Sequence, residues 1–205
     1  MKWKVYVSDI KEQLTGLVVT DVQGHRLDTD VGYTQWVELT QTVKKNRKIV
    51  YFCGNGASAS MASHMSADLA KNGRVHTEVL TEPSLVTAIS NDISYEAVFS
   101  DPLSVRAKAG DMLIAISSSG SSPNVLEAVK EAKKHDLTVI TISGMNAGNP
   151  LRSSGSLNFY IPANTYGYVE STHSVVLHHW MDRFELITNT EYSQYLKEAD
   201  EKIKT

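Results

Sequence analysis

Five of the six residues from Ser117 to Ser122 are serines: Ser117, Ser118, Ser119, Ser121 and Ser122, with Gly120 between them. Hydroxyls and unhindered backbone N–H groups in such a run suit a phosphate, whose oxygens accept many short hydrogen bonds without help from a lysine. The plainer use of the same residues is an N-cap followed by a flexible turn. A second turn of this composition, Gly54-Asn55-Gly56-Ala57-Ser58, lies upstream. It lacks the G-x-G-x-x-G spacing of a dinucleotide site, and the lysine of a P-loop is missing. His64 and Asp68 are four apart, so any helix that holds them puts them on one face. There they can share a divalent metal, form an acid–base pair, or make no more than a surface ion pair. Further on come Glu170, His173, His178 and His179. Glu170 and His173, three apart, could ligate one metal. Glu170 and His178 are separated by about 12 Å of helical rise and about 80° of rotation, so they can meet one small substrate only from its opposite ends.

These residues need elements to hold them. Ile49 to Cys53 and Met112 to Ile116 are short, apolar and β-rich, and read as buried strands that open into the two turns. A helix from about Ala59 to Lys71 carries His64 and Asp68. An amphipathic helix from Val125 to His135 follows the serine run, with Val125, Leu126, Val129 and Ala132 as its apolar stripe. Val79 to Asn91 reads as a short strand and a short helix, Leu137 to Ser143 as a third buried strand, and Leu157 to Pro162 as a fourth. A long helix from about Tyr168 to Ile187 carries Glu170 and the three late histidines. Residues 1–48 read as mainly helical, with a break at Gly24–Asp30 and an apolar face of Tyr33, Trp36, Val37, Leu39 and Val43. Strands that alternate with helices through short connections predict an α/β fold, an open parallel sheet with helices on both faces. Ligands then bind beyond the carboxyl ends of the strands, where both turns fall.

Composition narrows the partners. At 205 residues a single domain is expected, with 1–48 as bracing helices, 49–187 as the core and 188–205 as a charged tail. A net charge of −3 argues against broad binding to nucleic acid, and the basic run Lys44–Lys48 suits a helix end. The single Cys53 excludes a disulfide framework and a multi-cysteine zinc module; beside a strand end it reads as a small buried hydrophobe. No run of 18 uncharged apolar residues exists and the first residues do not form a signal peptide, so a cytoplasmic protein is expected.

Phe52-Cys53-Gly54-Asn55-Gly56-Ala57-Ser58 with Ala62-Ser63-His64 and Asp68 resembles the first half of the phosphoheptose isomerase motif. Ile89-Ser90-Asn91-Asp92 resembles its Asn-Asp turn, Ile116 to Ser122 the serine-rich phosphate loop of sugar isomerase (SIS) domains, and Glu170 to His178 the last active-site helix. The resemblance covers about residues 30–187 in consistent order and implies a flavodoxin-like three-layer sandwich. It also implies a homotetramer with active sites between subunits, converting sedoheptulose 7-phosphate to D-glycero-manno-heptose 7-phosphate, often with zinc. The implied substrate contacts are Asn55, Gly56, Ala57 and Ser58 of the first turn, Asn91, Asp92, Ser117, Ser118, Ser119, Ser122 and Glu170. The implied metal ligands are His64, Asp68, Glu170 and His178, with Asp68 and His178 as the proton-transferring pair.

Four positions depart from the family pattern. Asp68 stands where Glu is usual, which withdraws the carboxylate by about an ångström. Glu170 stands where Gln is usual and adds a negative charge that favours a divalent metal. Ala57 replaces the second loop glycine, and Gly167 stands where Asp is frequent. The competing readings are a non-catalytic SIS module that binds a phosphosugar or a protein, and an isomerase for a different phosphosugar.

Overall fold

A computed structural model of the chain describes residues 1–188, so the expected tail lies, Thr188 apart, outside the described residues. The order is α1 (Trp3–Thr15), β1 (Val18–Asp21), β2 (Arg26–Leu27), α2 (Thr29–Lys45), β3 (Ile49–Gly54), α3 (Ala57–Lys71), β4 (His76–Val79), α4 (Pro83–Asp92), α5 (Ser100–Arg106), β5 (Met112–Ser117), α6 (Pro123–Lys134), β6 (Thr138–Ser143), β7 (Leu157–Tyr160) and α7 (Tyr166–Thr188). The strands form one sheet in the order β2-β1-β7-β6-β5-β3-β4. From β4 to β7 all pairings are parallel. Within that block the chain starts at β3, places β4 on one side, and lays β5, β6 and β7 on the other. This is the doubly wound order whose direction switches between β3 and β5.

Alternate residues of the central strands face opposite helix layers, as a period of two requires. Phe52, Ile114 and Ile140 join Trp36 of α2, Met65 and Leu69 of α3, and Trp180 and Phe184 of α7. Tyr51, Leu113 and Val139 join Ile89 of α4, Leu103 of α5, and Val125 and Val129 of α6. The first layer centres on Trp36 and Trp180, which stack with ring centroids 4.4 Å apart and an interplanar angle of 7°. α1 buries none of its residues fully and braces the start of α7 instead. There Tyr6 stacks on Tyr168 at 4.8 Å, and the Tyr168 hydroxyl donates to Asp9 at 2.7 Å.

The N-terminal expectation needs correction. Residues 18–27 are a hairpin whose β1 adds antiparallel to the β7 edge, so the sheet is mostly rather than wholly parallel. The apolar, β-branched run Leu17-Val18-Val19-Thr20 carries this strand, and a helix-period reading overlooks so short a run. Asp21 fixes the turn by accepting hydrogen bonds from the backbone N–H of Gln23 (2.9 Å) and His25 (2.8 Å).

Candidate active site

The two Gly/Ser turns meet at the switch between β3 and β5. Gly56, with φ +55° and ψ −122°, sits where side chains are strongly disfavoured and lets the chain turn straight from β3 into α3. Ser122 ends the second turn and Pro123 opens α6, whose first position needs no N–H. The turns and the start of α7 enclose a cavity of about 230 Å³, lined by Asn55, Gly56, Ala57, Ser58, Ser117, Ser118, Ser119, Ser122, Tyr166 and Glu170. Two helix N-termini and a ring of hydroxyls therefore face one space, which is what a phosphate group requires. Ser117 Oγ lies 3.0 Å from Ser122 Oγ and accepts the Gly120 N–H at 3.1 Å, so the serine turn is shaped before any ligand arrives. Behind it, buried Asn149 donates to the Gly144 and Asn146 carbonyls at 3.1 and 2.8 Å, and the Leu151 N–H donates to the Gly120 carbonyl at 3.0 Å.

α3 and α7 leave this cavity and pack against each other. Two to three turns along them, His64, Asp68 and His178 come together, with one ligand atom from each within 4.8 Å of the others. His64 Nε2 is 3.3 Å from Asp68 Oδ2, and the His64 and His178 rings are 5.4 Å apart. About 3.3 Å is the edge of a tetrahedron with metal–ligand bonds near 2.0–2.1 Å, and three ligands with open positions form a catalytic rather than a structural zinc set. The donor set thus fits a divalent ion. Glu170 is not one of the three; it lies in the serine cavity, as its eight-residue distance from His178 dictates.

Asn91 and Asp92 are exposed at the end of α4, where the Asn91 amide donates to Asp92 Oδ1 at 2.7 Å, and neither lines the cavity. His173 is fully buried, and among the described residues neither of its ring nitrogens has a partner at good hydrogen-bond geometry. Burial pushes its pKa down to about 4, outweighing the opposing effect of the Ser143 backbone. His179 packs edge-on against Tyr33 at 4.6 Å, and partial burial and Arg183 lower its pKa. Burial pushes the Cys53 thiol up to about 12, which leaves it inert as a nucleophile. Three residues at the site carry no sequence signal of their own. Tyr166 is visible only once the cavity forms, Tyr95 reaches Asn55 from a separate turn, and Asn124 looks like an ordinary helix-start residue.

Residues 34–144 match the family model described as the SIS domain. A phosphoheptose isomerase from Campylobacter concisus is 38% identical over 142 residues, covering 65% of this chain and 74% of that protein. The phosphoheptose isomerase of Shewanella denitrificans is 34% identical over 146 residues, covering 67% and 74%. The structure of a phosphoheptose isomerase from Neisseria gonorrhoeae superposes with a TM-score of 0.68 at 32% identity, covering 75% of this chain and 85% of that one. With the serine turn, the cavity and the His/Asp group all on this framework, the chain belongs to the SIS-domain family of phosphoheptose isomerases.

Proposed function

We propose that the protein is an aldose–ketose isomerase that converts sedoheptulose 7-phosphate to D-glycero-manno-heptose 7-phosphate through an enediol. The observation that carries this reading is the pairing of a serine-lined cavity with the His64–Asp68–His178 group on the same two helices. Ser117, Ser118, Ser119, Ser122 and the Asn55–Ser58 backbone hold the phosphate. That fixes the sugar's register and removes the entropy of orienting it. Of Asp68 and His178, one takes the proton from the carbon beside the carbonyl while the other moves protons between the two oxygens. Glu170, from the wall of the cavity, hydrogen-bonds sugar hydroxyls. Zinc, held by His64, Asp68 and His178, would supply Lewis-acid stabilisation of the enediolate oxygens.

Within one chain the cavity and the His/Asp group are about two helical turns apart, so one small substrate could meet both only from its opposite ends. We therefore place each active site between subunits of a homotetramer, where one chain's serine cavity faces its neighbour's proton-transferring pair. Asn91 and Asp92, exposed on a single chain, then face a neighbour's substrate. Incubating the protein with sedoheptulose 7-phosphate, with added zinc and with a chelator, tests the reading by the appearance of an aldose phosphate. If none forms under either condition, the enzyme reading gives way to a binding module.

A further inference from the structure

Backbone pairing between β3 and β5 ends at Gly54 and Ile116, immediately before the two turns that line the cavity. Beyond that point the two strands run into Gly- and Ser-rich segments that the sheet no longer ties together. Asn55 and Asn124 tie them. The Asn55 amide donates to Asn124 Oδ1 at 2.9 Å, and the Asn124 amide donates back to Asn55 Oδ1 at 2.9 Å, across 69 residues of sequence. Asn124 is 1% exposed. Its Oδ1 also accepts the Val125 N–H at 3.0 Å, which fixes the side chain at the N-terminus of α6. The Tyr95 hydroxyl takes the remaining acceptor position of Asn55 Oδ1 at 3.1 Å. Both amide oxygens are thereby saturated. Asn55 can offer a ligand only its backbone and one remaining amide proton.

We propose that Asn124 and Tyr95 are positioning residues of the anion site. Their bonds to Asn55 set the distance between the Gly56 turn and the serine turn, so that hydroxyls and N–H groups from both converge on one phosphate. Asn55 then acts chiefly as half of a brace rather than as a sugar contact. This rests on the phosphate reading of the cavity. The geometry supports a brace because a reciprocal amide pair constrains both distance and orientation, whereas a single bond between flexible turns constrains neither well.

The test uses the full-length protein, inorganic phosphate binding by calorimetry, and steady-state turnover of sedoheptulose 7-phosphate. Asn55→Ala and Asn124→Ala are each expected to weaken phosphate binding and raise KM about tenfold, the worth of one or two buried hydrogen bonds, with a much smaller change in kcat. Because the two residues form one brace, the double variant is expected to lose about the same tenfold rather than a hundredfold. Tyr95→Phe removes one exposed hydroxyl without threatening the fold, and an about threefold loss is expected. Asn124→Ala with phosphate affinity within twofold of the parent overturns the proposal, whatever its melting temperature. So does a hundredfold loss in the double variant. If Asn124→Ala does not fold, an unchanged Tyr95→Phe overturns the proposal in its place. A parent protein that binds no phosphate sinks the phosphate reading instead. Backbone amide exchange then judges the brace alone: faster exchange at residues 55–59 in Asn124→Ala supports it, and unchanged exchange there overturns it.

Discussion

Asp68→Asn and His178→Gln remove the proposed proton carriers while keeping shape. Each is expected to lower kcat by about 10²- to 10⁴-fold with KM little altered. Full turnover in both variants would end the assignment. His173 supports a different prediction, since burial holds it neutral with a pKa of about 4 against an ordinary 6.5. Below pH 6.5 the unfolded chain takes up a proton that the folded chain refuses. Its contribution to stability is therefore complete above about pH 6.5 and is lost as pH falls toward 4, by on the order of 3 kcal/mol. Urea denaturation between pH 4.5 and 7.5 should show that decline in the parent and a flatter profile in His173→Leu; coincident profiles would refute it. The pairing of His64 with Asp68 was legible from sequence because four residues on a helix define a face. That His178 joins them while His173 is sealed in the core was not legible from spacing. It depends on how α7 crosses α3, which only the resemblance anticipated.

The serine turn and the Gly56 turn both hold glycine at positive φ, +63° at Gly120 and +55° at Gly56, but Gly120 has a second, steric reason. A Cβ on Gly120 would lie 1.9 Å from Oδ1 of Asn149, whose amide is held in place by buried carbonyls and cannot retreat. A Cβ on Gly56 meets nothing within 4 Å, so only backbone strain opposes it. Gly120→Ala should therefore cost about 3 kcal/mol of folding stability, and Gly56→Ala about 1–2 kcal/mol. Equal losses in chemical denaturation would show that the Asn149 contact yields. At this scale the sequence exposed the strand–turn–helix units plainly, because buried strands and Gly/Ser turns are local signals. It hid the β1–β2 hairpin, because four residues are too few for a period. It also hid Asn124, because its partner Asn55 lies 69 residues away.

The alternation of strands and helices was enough to anticipate an open sheet with helices on both faces, and the serine-lined cavity lies at the switch between β3 and β5. Assembly is a property of several chains together and left no periodic trace to read. If the active sites lie between subunits, two dead variants should rescue each other. Mixing Ser119→Ala/Ser122→Ala chains with His178→Gln chains under subunit exchange is expected to restore a substantial fraction of parent turnover. Persistent inactivity would place each site within one chain. Chelation should abolish most turnover yet shift the melting temperature by only a few degrees, because Met65, Leu69, Leu177 and Trp180 already fix α3 and α7. A large drop in melting temperature would instead make the ion structural. The antiparallel edge formed by β1 has a last consequence, for the order in which the molecule can be built. Its partner residues, Leu157 to Tyr160, follow about 140 positions later. At about 5–20 residues per second a ribosome makes that partner roughly 7–30 s after β1 has emerged. Until then the nascent hairpin has no strand to pair with, so the first strand translated is among the last to dock.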